Sequence, residues 1–157
     1  MSANISINGR ASKSKSTFRL ECAVGINIKA SASRIWSILT NAEDFPRWNS
    51  TVKSIEGKIA RGETIKLYAT VAPQRAFKLT VSEFVPNQKM VWSDGNFIFR
   101  GVRTYTLTPN SDGSTDFTMV EVFSGAMLPM IVGSLPDFAP EFEKYAADLK
   151  REAEKAS

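Results

Sequence analysis

Residues 29–52 read KASASRIWSILTNAEDFPRWNSTV, and this stretch decides how the chain is interpreted. Its first half predicts a short amphipathic helix, because apolar residues recur on one helical face: Ile35, Trp36, Ile38 and Leu39. Ser31 is the expected N-cap, since its hydroxyl can accept an amide hydrogen that the first turn leaves free, and the helix should stop near Asn41. A second short turn is predicted to follow, filled by Phe45, Pro46 and Trp48.

The order of aromatic residues in this stretch is distinctive. An Ile-Trp pair at 35–36 is followed, after a polar gap, by a Phe-Pro-x-Trp-Asn cluster at 45–49. This arrangement resembles the beginning of the START-like (SRPBCC) superfamily, which includes polyketide cyclase/dehydrase proteins and plant hydrophobe-binding allergens. Members usually have Val/Ile-Trp and then Trp-Asn-Pro further along, and here Ser50 replaces that proline. The resemblance implies a helix-grip fold, in which a bent antiparallel sheet wraps a C-terminal helix and leaves a hydrophobic tunnel.

The length and composition predict one folded domain. A chain of 157 residues with 43% apolar residues can build one sizeable core. No apolar run approaches the roughly 18 residues that a membrane-spanning helix needs, and the first residues lack the apolar segment of a secretory signal. We therefore expect a cytoplasmic protein with no stable membrane insertion. Cys22 is the only cysteine, so an internal disulfide is excluded and a buried thiol in a strand is expected.

The absence of histidine narrows the chemistry. It removes the commonest general acid or base, the commonest metal ligand and every Ser-His or Cys-His nucleophile pair. With a single cysteine, a zinc site would depend on carboxylates alone, which is not how proteins usually hold zinc. A glycine-rich phosphate loop of the dinucleotide or Walker type is also missing. We therefore expect no cofactor and no metal.

The charge distribution does not predict a nucleic-acid partner. The formal net charge is +4, but the basic residues are scattered along the chain. Their densest cluster, Arg10, Lys13 and Lys15, lies in a Ser-rich segment. A charged segment poor in apolar residues is usually solvated, so we assign residues 1–16 to a disordered tail and residues 17–155 to a single START-like domain. A monomer or weak homodimer is expected.

Alternating apolar residues predict strands over most of the remaining chain. Residues 17–29 alternate Phe18, Leu20, Cys22 and Val24 with polar or small neighbours, as expected for a strand with one buried face. Six further strands are expected after the short helices: residues 52–60, 64–71, 76–85, 89–94, 97–108 and 115–124. The breaks between them are short and carry turn residues, so neighbouring strands should pair as an antiparallel meander.

The last third of the chain changes to helical periodicity. Apolar residues recur every three or four positions at Met127, Ile131, Leu135, Phe138, Phe142, Tyr145 and Leu149. Pro136 and Pro140 cannot lie deep in a straight helix, because each lacks an amide donor. We expect a short turn at residues 126–133 and a main helix at residues 137–154.

Periodicity alone predicts an α+β protein in which an antiparallel sheet packs on a terminal helix. With the resemblance added, the predicted fold class is α+β with a helix-grip fold. It consists of a curved seven-stranded antiparallel sheet wrapped around a long C-terminal helix, with two short helices after the first strand.

The parity of the last two strands predicts which side chains face the helix. In both strands the odd-numbered residues are bulkier, and successive side chains in a strand point to opposite faces. A hairpin centred on Asp112 gives three cross-strand pairs: Leu107 with Phe117, Tyr105 with Met119, and Arg103 with Glu121. Two opposite charges would then meet on the inward face, which is tolerable because each neutralises the other.

The candidate ligand site is the space between sheet and helix. Arg103 and Glu121 would orient a polar group of a ligand, or would form a cross-strand ion pair near the rim. Tyr105 and Tyr68 are candidates for hydrogen bonding. The apolar candidates are Leu67, Ala69, Phe77, Leu79, Met90, Trp92, Phe99, Met119, Phe123, Met127, Ile131, Leu135, Phe138 and Phe142, with Val71, Val81, Phe97 and Met130 beside them. These residues suit an ordinary core equally well, and the resemblance favours a cavity.

Three functions remain after these exclusions. The first is a carrier or sensor that binds a small hydrophobic ligand such as a lipid, sterol, polyketide or aromatic compound, as the resemblance implies. The second is an enzyme similar to polyketide cyclases or aromatases, in which Arg, Tyr or Glu side chains steer proton transfer without histidine. The third is a protein-interaction module similar to START-like co-chaperones. The sequence specifies neither the ligand nor a reaction.

Overall fold

A computed structural model describes residues 5–155, which form one antiparallel sheet and four α-helices. The strands are β1 (Ser12–Ser16), β2 (Arg19–Ile28), β3 (Val52–Glu56), β4 (Thr64–Ala69), β5 (Ala72–Val85), β6 (Lys89–Gly95), β7 (Arg100–Pro109) and β8 (Thr115–Ser124). The helices are α1 (Ala32–Leu39), α2 (Phe45–Trp48), α3 (Leu128–Ile131) and α4 (Ala139–Ala153), with 3₁₀ turns at Ala42–Asp44 and Val132–Ser134. Within the described residues, no helix has the length and apolar content needed to span a membrane.

The strand order is β1-β2-β8-β7-β6-β5-β4-β3, and every pairing is antiparallel. Strands β3 to β8 follow one another as the predicted meander, and β2 returns beside β8. Because β2 and β3 lie far apart in the sheet, the segment that joins them must cross the sheet, and it carries α1 and α2. The helix-grip architecture is therefore confirmed, with eight strands in the sheet instead of seven.

The stretch 29–52 folds as its pattern predicts. Ser31 Oγ accepts a hydrogen bond from the Arg34 amide at 3.2 Å, which satisfies a free donor in the first turn of α1. The Arg34 guanidinium donates to the carbonyl oxygens of Ala153 at 2.8 Å and Glu152 at 3.3 Å. It thereby caps the carbonyl end of α4, where the helix dipole favours a cation. The buried side chains of this stretch include Ile35, Trp36, Leu39, Phe45 and Trp48.

Strand β1 corrects the predicted disordered tail over residues 1–16. Residues 12–16 pair along their whole length with β2, and Lys13 Nζ lies 2.9 Å from Asp137 Oδ1. Backbone pairing needs no apolar side chain, so a strand of serine and lysine can occupy a sheet edge, where charged residues also discourage further pairing. The folded domain consequently begins before residue 17. Residues 1–4 of the predicted tail lie outside the described residues.

Strand β7 begins at Arg100, later than predicted, because residues 96–99 form a tight loop after Gly95, the last residue of β6. Gly95 has φ +85°, and a Cβ atom there would lie 2.1 Å from the carbonyl oxygen of Phe99, so the loop requires glycine. Phe97 consequently leaves the predicted inward face, and its side chain is 83% exposed. Parity arguments fail at this position because the chain is no longer extended.

Other boundaries also shift at turns. The predicted break at residues 72–74 belongs to β5, and the β4–β5 turn lies at Thr70 and Val71 instead. Pro73 is accommodated because the β4–β5 register is irregular there, so the ladder does not require its missing amide. Phe18 lies in the β1–β2 turn, not in a strand, and is 56% exposed. Strand β3 ends at Glu56, earlier than predicted.

Candidate ligand-binding cavity

A cavity of about 240 Å³ lies between the sheet and the beginning of α4. Strands β4 to β8 form its wall, because alternate residues of each strand point to the same face. The opposite side comes from residues 135–145, and Thr51 and Val52 close one edge. Most of the lining is apolar, and the charged residues in it are Arg75, Asp94, Arg103, Glu121 and Glu141.

Most of the predicted site residues lie together in this cavity. The two charged candidates, Arg103 and Glu121, both line it. The apolar candidates that line it are Leu67, Ala69, Val71, Phe77, Leu79, Trp92, Phe99, Met119, Phe123, Leu135, Phe138 and Phe142. Strand parity therefore located the cavity wall, and the binding role of these residues stays a prediction.

Five site candidates lie outside the cavity lining: Tyr68, Tyr105, Met90, Met127 and Ile131. Tyr105 and Met90 are fully buried further along their strands, where α4 packs directly on the sheet. Tyr68 alternates with Leu67 and Ala69, which face inward, so it lies on the other face of β4. Met127 is 37% exposed and Ile131 is half-buried, because the segment after β8 turns away from the cavity.

Three further apolar candidates also lie elsewhere. Val81 is completely buried in the core. Phe97 and Met130 are 83% and 77% exposed, although their sequence patterns predict an inward position. Phe97 lies in the irregular loop between β6 and β7, where a period of two does not apply, and Met130 lies on the exposed side of the single-turn helix α3.

The cavity also contains residues that were not predicted: Thr51, Val52, Ala72, Arg75, Asp94, Gly101, Pro136, Glu141 and Tyr145. Two of these had a usable signal. Tyr145 follows Phe142 by one helical turn on the apolar face of α4, and Asp94 has the same parity as Trp92 on β6. Gly101 contributes by its lack of a side chain, since a Cβ atom there would lie only 3.0 Å from Asp94 Oδ1.

Arg103 and Glu121 face each other across β7 and β8 in the predicted register. Arg103 Nη2 lies 3.4 Å from Glu121 Oε1, and the two side chains are 20% and 14% exposed. The guanidinium carbon lies 5.2 Å from the ring centre of Phe142 and 6.0 Å from that of Tyr145. Burial lowers the pKa of Arg103, but the Glu121 carboxylate and neighbouring phenols outweigh burial, so the pKa is raised and the guanidinium stays charged.

Two carboxylates of the cavity have raised pKa values. Burial raises the pKa of Glu121, Arg103 offsets this in part, and Asp94 adds to the rise. Burial also raises the pKa of Asp94, although its Oδ1 accepts a hydrogen bond from the Gly101 amide at 3.2 Å. A carboxyl group with a raised pKa keeps its proton to a higher pH than a free carboxyl group does, and such groups are common at acid–base sites. In the part of the chain that the structure describes, no three Asp, Glu, Cys or His side chains cluster as a metal site requires.

Tyr145 and Tyr105 form a hydrogen bond between their hydroxyl groups at 3.1 Å. Burial raises the pKa of both phenols, so both keep their protons at neutral pH. Either hydroxyl can be the donor. When Tyr105 donates, the proton of Tyr145 is free to bond an oxygen atom in the cavity that Tyr145 lines.

Three stacked rings form an aromatic wall on one side of the cavity. The ring centres of Phe99 and Phe123 are 5.9 Å apart with an interplanar angle of 8°. Those of Phe123 and Phe138 are 5.2 Å apart at 24°. The wall joins the β6–β7 loop, β8 and the segment before α4, and its flat surface can stack against a planar apolar group.

The fold and the cavity together define the class of protein. An antiparallel sheet that packs on a C-terminal helix and leaves an apolar cavity between them is the arrangement of START-like helix-grip domains. The chain belongs to the family described as polyketide cyclase/dehydrase and lipid transport, whose sequence profile matches residues 19–154. This match spans β2 to α4 and confirms the resemblance carried by residues 29–52. Among curated proteins, none matches the sequence significantly.

Solved structures share this fold at low sequence identity. A START superfamily protein from Mycobacterium smegmatis is 20% identical with a TM-score of 0.62, covering 85% of this chain and 97% of its own. A protein from Rhodobacter sphaeroides is 21% identical with a TM-score of 0.63, covering 90% and 96%. A norcoclaurine synthase point mutant from Thalictrum flavum, in complex with a transition-state analogue, is 15% identical with a TM-score of 0.65, covering 89% and 97%. These similarities establish the fold.

Proposed function

We propose that the protein binds a small hydrophobic molecule in the cavity between the sheet and α4. The observation that carries this proposal is the cavity itself, about 240 Å³ of space lined mostly by apolar and aromatic side chains. Protein interiors are normally close-packed, and an unfilled apolar space of this size destabilises the fold. The family description, which includes lipid transport, supports the same conclusion. We expect the protein to act as a carrier or sensor.

The polar groups favour a ligand that is mostly apolar and has an uncharged oxygen. Glu121 already neutralises Arg103, so a ligand carboxylate would approach the Glu121 charge as well as the guanidinium. Glu121 uses a single guanidinium donor, so other N–H groups of Arg103 can donate to a carbonyl or hydroxyl oxygen. The aromatic wall can contact a planar ring. A sterol, a polyketide or an aromatic alcohol or ketone fits these groups better than a free fatty acid.

Native mass spectrometry tests the proposal without assuming a ligand. Protein purified without organic solvent should carry an apolar molecule that is released on denaturation and can be identified by its mass. Protein that carries nothing, and that takes up no sterol, polyketide or aromatic ketone from a mixture, would contradict the proposal.

A pair of variants connects binding to the cavity. Leu79 lines the cavity, whereas Lys78 beside it on β5 is exposed on the other face. Leu79→Trp should occupy part of the space and weaken binding of Nile red, an apolar dye, by about tenfold or more. Lys78→Trp adds the same side chain outside the cavity and should bind the dye as the wild type does. Equal binding by all three proteins would place the dye elsewhere.

A second candidate function is ring closure of a poly-β-keto chain, and the acid and base groups beside Arg103 favour it. The carboxylate of Glu121 or Asp94 would take a proton from a carbon between two carbonyl groups. The resulting enolate carbon would bond to a carbonyl carbon further along the same chain, and the new alkoxide would take a proton from Tyr145 or a protonated carboxyl group. The N–H groups of Arg103 would stabilise the developing oxyanion.

Turnover of a poly-β-keto mimic tests this second function. Wild-type protein should release a cyclised product, and Glu121→Gln and Arg103→Ala should lose it while still binding Nile red. Turnover that is unchanged in both variants would remove these residues from the reaction, and absence of turnover in the wild type would leave ligand binding as the function.

A further inference from the structure

The two ends of the sheet differ in surface character. Because neighbouring strands are antiparallel, the β1–β2, β4–β5 and β6–β7 turns and the segment after β8 lie at the same end. The described residues include eight large apolar side chains that are exposed, and six lie at this end: Phe18, Val71, Phe97, Ile98, Met127 and Met130. We call these six residues the apolar tip. At the opposite end, the β5–β6 and β7–β8 turns are formed by residues 86–88 and 110–114, which include no large apolar residue.

Backbone hydrogen bonds join the segments of the apolar tip. The Ala126 amide donates to the carbonyl of Phe97 at 3.1 Å, and the Met127 amide donates to that of Ile98 at 2.9 Å. The Gly125 amide donates to the carbonyl of Phe18 at 3.3 Å. These polar groups therefore have protein partners already, which lowers the cost of moving them out of water. Phe97 and Met130, at 83% and 77%, are the most exposed of the six side chains.

Basic side chains lie next to the segments of the apolar tip. Lys15 and Arg100 are exposed next to it, and no acidic side chain of the described residues forms an ion pair with either. Arg75 is also exposed and follows the β4–β5 turn. Arg19, next to Phe18, is paired with Glu21 at 2.8 Å. Exposed apolar groups with unpaired cations beside them complement a surface that is both apolar and anionic.

We propose that the apolar tip docks reversibly on a lipid bilayer that contains anionic lipid. Its apolar side chains would enter the interface, and the basic residues would lie at the level of the headgroups. A second copy of this chain is a less suitable partner for the apolar tip, because a two-fold interface would bring the basic residues of both copies close together. No spanning helix is required, since docking of this kind stays at the surface.

The cavity opens towards the docked end. Val71 and Pro136 are exposed and line the cavity, and Phe99 of its aromatic wall follows Phe97 in the same loop. A docked protein could therefore exchange an apolar ligand with the bilayer without passing it through water. This exchange rests on the proposed ligand binding, whereas docking itself does not.

Co-sedimentation with vesicles tests the docking. Wild-type protein should bind vesicles of phosphatidylcholine mixed with phosphatidylglycerol. Its affinity for vesicles of pure phosphatidylcholine should be lower by on the order of thirtyfold, as expected for the loss of about two basic contacts. The double variant Phe97→Ser/Met130→Ser should bind anionic vesicles about tenfold more weakly or worse. Both side chains are exposed, so the two substitutions should leave the stability of the fold nearly unchanged. Val85→Ser removes an exposed apolar side chain at the opposite end and should bind as wild type.

A second pair of variants tests the charge contribution. Lys15→Gln/Arg100→Gln should reduce binding to anionic vesicles. Lys58→Gln/Lys66→Gln removes the same amount of charge from exposed positions away from the tip, and it should change vesicle binding little.

Failure of the wild type to bind anionic vesicles would overturn the proposal, as would an equal loss of binding in Val85→Ser and the double serine variant. A wild-type dimer that Phe97→Ser/Met130→Ser converts to monomer would assign the tip to a second copy instead. Leu79→Trp should still bind vesicles, so a failure of ligand binding is distinguishable from a failure of docking.

Discussion

At the residue scale, charge compensation decides what the cavity can hold. A carboxylate that faces aromatic rings costs several kcal/mol by itself, and Glu121 is tolerated because Arg103 lies 3.4 Å away. The pair also orients Arg103, whose guanidinium rests against the ring of Phe142. It therefore provides hydrogen-bond donors at a fixed place without adding net charge to an apolar space.

Removing one member of this pair should cost more stability than removing both. Arg103→Met leaves the Glu121 carboxylate without its partner, and the free energy of unfolding should fall by about 2–4 kcal/mol at neutral pH. The double variant Arg103→Met/Glu121→Leu should recover most of this loss, because no buried charge remains. Urea denaturation of both single variants and the double variant measures the coupling. Additive losses would show that the two side chains do not stabilise each other.

Glu152 should make stability sensitive to acid. Side-chain hydrogen bonds from Arg47 and Lys155 lower the pKa of Glu152 from 4.5 to about 2. Since the folded-state pKa lies below the unfolded value, ionised Glu152 stabilises the fold above about pH 4.5, and this contribution disappears as pH falls towards 2. Arg47 is 53% exposed, so Glu152→Gln should be less stable than wild type by at most about 1 kcal/mol at neutral pH.

Urea denaturation of wild type and Glu152→Gln between pH 7 and about pH 2 checks this contribution. The difference between the two proteins should shrink as pH falls, and a difference independent of pH would contradict the assigned cause. Asp94 and Glu121 are present in both wild type and Glu152→Gln, so their contributions to stability cancel when the two proteins are compared at the same pH. Burial raises the pKa values of these two groups, so their contributions to stability change in the opposite direction with pH.

At the element scale, the sequence predicts the elements whose signals are local. The N-cap at Ser31 located α1, and the alternation of residues 115–124 predicted β8 with the bounds that the structure has. Parity then placed Arg103 and Glu121 opposite each other, because both lie in regular strands. The inward faces of regular elements account for most of the correctly placed cavity lining.

Elements that depend on distant partners were not predictable from local pattern. Strand β1 has no alternating apolar residues, and its stability comes from pairing with β2. The break between residues 94 and 97 was predicted, but the local pattern did not show that the loop extends to residue 99 and leaves Phe97 exposed. Glu141 reaches the cavity as a polar residue, so a search for apolar faces passes over it.

Deletion of residues 1–16 tests whether β1 is part of the folded domain. Without β1, the first half of β2 becomes a sheet edge, and its amides lose a covering strand. Hydrogen exchange of those amides of residues 19–23 that point to β1 should be slow in the full chain and at least about tenfold faster in the truncated protein. The amides of β8 are covered by β7 and β2 in both proteins and serve as the internal control. Equal exchange of these amides in the two proteins would mean that the tail does not pair in solution.

At the scale of the whole molecule, α4 runs from the cavity at its first turn to the contact with α1 at its last turn. Its last turn is held by Arg34, which bonds the carbonyl oxygens of Ala153 and Glu152. Its first turn lies beside the cavity, which Phe138 and Phe142 line. The fold is therefore fixed at the end where α1 and α4 meet and has its open space at the end that carries the apolar tip. Under the proposed function, a ligand would enter at the end of the fold away from the contact between Arg34 and the last turn of α4.

A ligand that fills the cavity should stabilise the whole fold, because the unfolded chain has no cavity to bind it. At a free ligand concentration about 100 times the Kd, linkage predicts about 2.7 kcal/mol of added stability. For a domain of this size, that corresponds to a Tm higher by roughly 5–10 °C. Calorimetry of the purified protein before and after extraction on a hydrophobic resin measures the shift. Leu79→Trp, whose cavity is partly occupied by its own side chain, should show a smaller shift than Lys78→Trp. A Tm that does not change although an apolar molecule has been removed would mean that the molecule does not prefer the folded state to the unfolded chain, which would contradict binding in the cavity.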